Sequence, residues 1–319
     1  MPIIESAFRP AWWLRGDHAQ TLWPAFFRRR RKLPIRWEQL ELDDGDFLEL
    51  AWSGPETGPI VLLLHGLQGS INSHYASGMM YHLNRQGFRV CLMHFRGCGR
   101  KPNRLPISYH SGKTDDPQRV LEHIEQTYGQ TLYGAVGVSL GGNVLLKWLG
   151  EQGAGSPLQR AAAVSVPFQL DAAARRLEKG PSRLYQRHLV NSLKAAYREK
   201  FSRIESPLRI DIDRLDTFRL FDDQVTAALH GFDGVDDYYQ RCSSRQFIPA
   251  IRVPTLILHA RRDPFMFPDT PPESDELPEQ VFLEIPQAGG HVGFVSGRFP
   301  GRADYYAERR VAEWMRGAP

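Results

Sequence analysis

Three side chains define the chemistry open to this chain. Ser139 stands at the centre of Gly137-Val138-Ser139-Leu140-Gly141, between an apolar run at 132–136 and a helical pattern at 143–149. Strand, sharp turn and helix are the setting in which a G-x-S-x-G pattern lifts a serine hydroxyl above a sheet. The glycines stand where a larger residue would clash, and the helix dipole favours negative charge beside the serine. A hydroxyl is a poor nucleophile until a base takes its proton and a third group holds that base. Two later strand-like runs each lead into a loop with a suitable group. Residues 255–259 run into Ala260-Arg261-Arg262-Asp263-Pro264-Phe265, and residues 281–285 lead to Gly289-Gly290-His291-Val292-Gly293. Taken singly, Asp263 reads as a turn former before proline or the partner of a neighbouring arginine, and His291 as a loop residue bonded to backbone. Taken with Ser139, they are the acid and base of a catalytic triad, at the carboxyl ends of neighbouring strands.

Acyl transfer also needs donors for a tetrahedral oxyanion. The backbone N–H of Leu140 is one candidate. The other is the N–H of Leu67, in the loop His65-Gly66-Leu67-Gln68-Gly69-Ser70. His65 reads as a loop-fixing residue rather than a second base, and Cys98 as a small filler near the pocket. Asp222-Asp223 precedes a helical run and is expected to cap it. No H-E-x-x-H, Walker A or G-x-G-x-x-G pattern occurs, so neither metal nor cofactor is expected.

These loops need a frame. Residues 35–42 and 47–52 alternate in polarity about Asp43-Asp44-Gly45-Asp46, which predicts an antiparallel hairpin. The run 60–64 is wholly apolar, as in a strand buried on both faces. Helix (75–86), strand (88–93), helix (117–128), strand (132–136), helix (143–149) and strand (161–166) then alternate, which predicts a mostly parallel sheet covered by helices. The rhythm breaks over 168–250, where segments 172–179, 182–201 and 222–230 read as helices of an inserted cap. Strands 255–259 and 281–285 and a helix at 303–315 complete the core. The division is therefore an arm at 1–34, a core at 35–167 and 251–319, and a helical cap at 168–250.

The arm crowds Phe8, Trp12, Trp13, Trp23, Phe26 and Phe27 together without clear period, followed by Arg28-Arg29-Arg30-Arg31-Lys32. It reads as a segment packed on the core, the other reading being peripheral membrane contact. The 319 residues carry a net charge of +4 and 42% hydrophobic residues, ordinary values for a globular chain. No apolar run approaches the roughly 18 residues of a membrane span, and no signal peptide is evident. Cys91, Cys98 and Cys242 lie far apart, which fits a reducing, cytoplasmic setting without disulfides. No recognition motif accompanies the basic run, so a nucleic-acid partner is not expected.

Further motifs narrow the reading. Asp17-His18-Ala19-Gln20-Thr21, His65-Gly66-Leu67, Asn103-Arg104-Leu105-Pro106, Tyr109-His110-Ser111-Gly112, Phe221-Asp222-Asp223 with Thr226, Gly231-Phe232 and Tyr238-Tyr239 resemble the YheT-like group of the α/β-hydrolase superfamily, the AB hydrolase 4 family. The resemblance implies an α/β-hydrolase fold and a serine hydrolase of carboxylic esters, with Ser139 as nucleophile, Asp263 as acid and His291 as base. Many relatives carry a second acidic residue where this chain has Arg262. The expected substrate is a small ester with a short to medium acyl chain. An acyltransferase using an alcohol acceptor, and a non-catalytic binding protein on the same fold, are the competing readings.

Overall fold

The computed structural model describes residues 2–317. The chain opens with a short strand, β1 (Ile3–Ile4), and a helix, α1 (Asp17–Phe27). The expected hairpin follows as β2 (Arg36–Glu41) and β3 (Phe47–Ser53), paired antiparallel from Arg36 opposite Trp52 to Glu41 opposite Phe47. Strand and helix then alternate through β4 (Ile60–Leu64), α2 (Ala76–Arg85), β5 (Arg89–His94), α3 (Asp115–Tyr128), β6 (Leu132–Val138), α4 (Leu140–Gln152) and β7 (Arg160–Val164). Helices α5 (Leu170–Leu177), α6 (Arg183–Phe201), α7 (Phe218–Phe221), α8 (Ala228–His230) and α9 (Val235–Cys242) come next, with a π-helical turn, Asp222–Ala227, joining α7 to α8. The chain closes through β8 (Thr255–Leu258), β9 (Val281–Glu284), the short pair β10 (Val295–Ser296) and β11 (Asp304–Tyr305), and α10 (Tyr306–Arg316).

The main sheet has the order β1-β9-β8-β7-β6-β4-β5-β3-β2. Pairing is parallel from β1 to β5 and antiparallel from β5 through β3 to β2. Strand β4 shows why the run 60–64 is apolar throughout. Ile60, Leu62 and Leu64 pack with residues of α3 and α4, and Val61 and Leu63 with residues of α2 and α10. Each such leucine, removed fully from water, contributes about 2 kcal/mol. The register sets Leu64 beside Gly137, Val138 beside Val164, and Val164 beside Leu258, itself beside Glu284. The loops after β4, β6, β8 and β9 therefore leave from one rim of the sheet.

Several short elements were not foreseen: β1, α1, α7, α9 and the pair β10 and β11, where α7 spans only Phe218–Phe221 and β10 and β11 only two residues each. Strand β1 is too short to show a period. Helix α1 contains Pro24, and its buried residues are Gln20, Thr21 and Pro24 while Leu22, Phe26 and Phe27 are exposed. That inverts the pattern by which a surface helix is recognised. Helix α9 is short and begins Val235-Asp236-Asp237, so its charge conceals its buried Tyr238, Tyr239 and Cys242. No helix among the described residues is long and apolar enough to cross a membrane.

Candidate active site

Ser139 lies between β6 and α4 with φ 55° and ψ −120°, a left-handed conformation costly to any residue with a Cβ. The strain is held on both sides. Ser139 N–H donates to the Val164 carbonyl at 2.8 Å, and Asn143 N–H donates to the Ser139 carbonyl at 3.0 Å. Gly141 is needed for contact: a Cβ there would sit 2.5 Å from the carbonyl oxygens of Leu64 and His65.

The Ser139 hydroxyl meets His291 Nε2 at 2.9 Å, and His291 Nδ1 meets Asp263 Oδ2 at 2.9 Å. All three sequence-derived side chains thus come together. Asp263 is 2% exposed and His291 8%. Burial pushes the Asp263 carboxyl up, but the adjacent His291, its hydrogen bond, His259 and the Phe265 N–H together hold it below its ordinary value. It is therefore an anion at neutral pH, able to orient the imidazole and offset its charge. Arg262 does not take this carboxylate; it faces Asp17 at 3.4 Å. The Phe265 ring lies flat on the imidazole, with centroids 3.9 Å apart and planes 3° from parallel. One ring face is thereby closed to water.

The loop of His291 is fixed by residues from far away in the chain. The His291 N–H donates to Thr21 Oγ1 at 2.9 Å, and that hydroxyl donates to the Asp17 carbonyl. Gln20 clamps Val295 twice, accepting from its N–H at 2.7 Å and donating to its carbonyl at 3.1 Å. Val292 N–H donates to Ser165 Oγ at 2.9 Å, and both residues have positive φ, 54° and 53°. Thr21, Gln20 and Ser165 were not singled out from sequence as parts of the site. Gln20 and Thr21 were visible only within the Asp17-His18-Ala19-Gln20-Thr21 motif.

Leu67 and Leu140, whose backbone N–H groups are the expected oxyanion donors, both line the cavity. Leu140 begins α4, so its N–H has no intrahelical acceptor. On either side of Leu67, Gly66 N–H donates to Tyr75 and Gln68 N–H to Tyr109, both hydroxyls at 2.7 Å. The Leu67 amide between them is left without a protein acceptor among the described residues. The tyrosine hydroxyls that shape this loop were not foreseen.

His65 is wholly buried, and burial takes its pKa down to about 3. Its Nδ1 pairs with the Gly66 carbonyl at 2.7 Å, and its Nε2 accepts from Phe95 N–H at 3.1 Å. It fixes the loop and cannot act as a base near neutral pH. Burial likewise pushes the Cys98 thiol up to about 12, far from a nucleophile. The acidic pair departs from expectation. Thr217 caps α7, accepting from Leu220 N–H, whereas Asp223 accepts from Val235 N–H and so caps α9. Asp222 accepts from the Thr226 and Tyr239 hydroxyls at 2.7 and 2.8 Å, and burial lifts it to about 6 against those bonds. The pair therefore ties two helices together instead of capping its own.

Ser139 and His291 open into a cavity of about 1020 Å³. Helix α6 runs along it, presenting Leu189, Leu193 and Ala196. At one end Tyr185 packs on Phe265 with centroids 5.0 Å apart. At the other, Lys200 Nζ donates to the carbonyls of Leu105, Pro106 and Ile107. Among the described residues no cluster of three or more His, Cys, Asp or Glu side chains could hold a metal.

Known proteins resemble this one over most of its length. "Putative esterase YheT" of Escherichia coli strain K12 is 41% identical over 305 residues, covering 93% of this chain and 89% of its own. "Phospholipase ABHD3" of Homo sapiens is 28% identical over 321 residues, covering 95% of this chain and 77% of its own. Among solved structures, the Pyrococcus furiosus esterase Pf2001 superposes with a TM-score of 0.55 at 17% identity, covering 90% of this chain and 97% of its own, a likeness of fold. The family model described as alpha/beta hydrolase fold matches residues 59–297. With a parallel sheet, a serine on the turn after β6 and a YheT-type relative aligned nearly end to end, the chain belongs to the α/β-hydrolase family, as the resemblance in its motifs implied.

Proposed function

We propose that the protein hydrolyses carboxylic esters with short to medium acyl chains, through an acyl-Ser139 intermediate. One observation carries the reading: a single imidazole lies 2.9 Å from both a strained serine hydroxyl and a buried carboxylate, at the wall of a large, mainly apolar cavity. In the first step His291 Nε2 takes the Ser139 proton as Oγ attacks the ester carbonyl carbon. The electron pair of the C=O bond moves to oxygen, which faces the N–H groups of Leu67 and Leu140. One such donor is worth roughly 10²–10³ in rate. His291 then passes the proton to the departing alcohol oxygen, activates water, and returns the proton to Ser139 as the acid leaves. Asp263 stays ionised throughout and steadies the imidazolium.

The apolar wall of α6 supports an acyl chain in the cavity. The names of relatives agree, since besides the esterase and phospholipase above a Saccharomyces cerevisiae relative, 28% identical over 259 residues, is named monoacylglycerol lipase. In this reading residues 168–250 serve as a cap over the site, and residues 1–34 as an arm that holds its histidine loop. No cofactor takes part. Three free cysteines fit a cytoplasmic setting.

The test is p-nitrophenyl ester turnover across a series of chain lengths, with fluorophosphonate labelling of the folded protein. Wild type is expected to label and turn over, with Ser139→Ala unlabelled and down by about 10⁴-fold or more in kcat. Equal rates for the two would remove Ser139 from the chemistry.

A further inference from the structure

Helix α1 buries Gln20, Thr21 and Pro24 and packs Ala19 and Trp23 on the protein, yet its exposed side is also apolar. Gln20 and Thr21 hold the histidine loop, whereas Leu22, Phe26 and Phe27 are 40%, 74% and 66% exposed. Facing it is the start of α6, where Leu184 is 67% exposed. The two helices touch where His18 Nδ1 meets the Tyr185 hydroxyl at 3.0 Å. Leu22, Phe26 and Leu184 also line the cavity that contains Ser139. Apolar side chains open to solvent and Ser139 therefore line one and the same cavity. Scattered exposed apolar residues need no explanation, but a contiguous patch rimmed by polar groups marks an interaction site.

Unpaired cations flank these two elements, Arg15 just before α1, Arg29 and Lys32 just after it, and Arg183 and Arg187 at the start of α6. All are exposed, and none has a carboxylate partner among the described residues. Neighbouring charges are already engaged: Arg28 pairs with buried Glu308, and Asp17 faces Arg262. Further along the cap Arg219 pairs with Asp171 and Asp236 and Arg198 with Asp213, while Arg209 is exposed with no carboxylate partner among the described residues. Unpaired cations around exposed aromatic rings suit an interface in which rings enter the acyl boundary and cations meet phosphate.

We propose that α1 and the first turn of α6 form a docking surface for an anionic phospholipid bilayer, with the mouth of the cavity turned toward the lipid. An acyl ester would then reach Ser139 without passing through water. Only this last step rests on the esterase reading; the docking does not require chemistry. Because Thr21 and Gln20 of α1 hold the histidine loop, the surface that meets lipid and the loop that carries His291 are joined through one helix.

The experiment uses full-length Ser139→Ala protein, so that binding is read apart from hydrolysis, and sediments it with vesicles of phosphatidylcholine with or without phosphatidylglycerol. Binding is expected on the phosphatidylglycerol vesicles and should weaken with salt. Phe26→Glu with Phe27→Glu is expected to lower partitioning at least about a hundredfold, given the apolar area each ring would bury. Phe27 packs on Trp23 at 4.5 Å, so a second pair that cannot disturb packing, Arg29→Gln with Lys32→Gln, is tested alongside. It should cost about thirtyfold on the anionic vesicles and little on the neutral ones. No sedimentation with phosphatidylglycerol at low salt, or binding untouched by both pairs, overturns the proposal. A concentration-dependent dimer abolished by Phe27→Glu would assign the face to a second copy of the chain and overturn it too. Absence of ester turnover in the wild-type protein, with docking intact, would count against the esterase reading alone.

Discussion

Replacing Thr21 by valine should impair catalysis from a position far from the nucleophile in sequence. The hydroxyl of Thr21 accepts the His291 N–H at 2.9 Å and donates to the Asp17 carbonyl. Valine keeps the shape and removes both bonds, leaving a buried N–H without an acceptor. Such a group costs about 1–3 kcal/mol, so the loop gains by shifting toward another partner. The imidazole moves with its own amide, and a displacement near 1 Å can cost about a hundredfold in rate. We expect kcat/KM to fall about 10- to 100-fold, mostly in kcat, because no substrate group need contact the hydroxyl. The melting temperature should fall by only a few degrees, at roughly 2–4 °C for each kcal/mol in a chain of this size. Thr21→Ser retains the oxygen and should stay near wild type. The assay is p-nitrophenyl ester kinetics well below the melting temperature, with fluorophosphonate labelling rates in parallel. If Thr21→Val keeps wild-type kcat/KM, or if Thr21→Ser is equally impaired, then α1 does not position the histidine.

Asp222→Asn should change how stability depends on pH. The folded carboxyl is pushed up to about 6 by burial, above the ordinary 3.8, so its contribution is fully present below about pH 4 and lost as pH rises through 6. The wild type should lose on the order of 2–3 kcal/mol across that window in denaturant titrations, and the asparagine variant should lack this component. Gly141→Ala would drive a methyl to 2.5 Å from two carbonyl oxygens; the variant should lose activity and at least about 2 kcal/mol of stability, read by melting and ester turnover together. Tyr109→Phe frees the Gln68 amide beside Leu67, so kcat should drop about tenfold with KM little changed if the Leu67 N–H stabilises the oxyanion; an unaltered kcat would discount that loop.

The convergence of Ser139, Asp263 and His291 was legible because each follows a strand buried on both faces, and such strands announce themselves as continuous apolar runs. Parallel pairing then sends their carboxyl ends to one rim. Leu67 and Leu140 were legible as backbone positions next to glycines. What holds these groups in place was not. The acceptor for His291 lies 270 residues away, and the hydroxyls beside Leu67 come from Tyr75 and Tyr109. No local pattern links a hydroxyl to a distant amide. Asp223 misled for the same reason, since it caps a helix beginning 12 residues later rather than the one it introduces. Helix α1 escaped notice because its most buried residues, Gln20, Thr21 and Pro24, do not form an apolar stripe, while Leu22, Phe26 and Phe27 face solvent.

The dependence of the histidine on the arm follows from the sheet itself. Ser139 is anchored by a bond to the Val164 carbonyl and by the start of α4. Asp263 follows β8, which is flanked on both sides by β7 and β9. His291 has no such support, because it stands well beyond β9 in a loop with three glycines and a valine at positive φ. Strand β9 would itself be an edge without β1, whose Ile3 and Ile4 pair with Leu283 and Glu284. The residues that complete the edge and those that clamp the loop come from one N-terminal segment, and Phe8 fastens it between by packing on Phe294 and Tyr306. Gly293 shows how close the fit is: a Cβ there would lie 2.1 Å from the Gln20 carbonyl, which Pro24, lacking an N–H, leaves without its helical donor. A helix-breaking residue inside α1 thus leaves room for the backbone of the loop it supports. The arm is for this reason a structural part of the site, and its removal should cost the geometry of His291 before it costs the sheet.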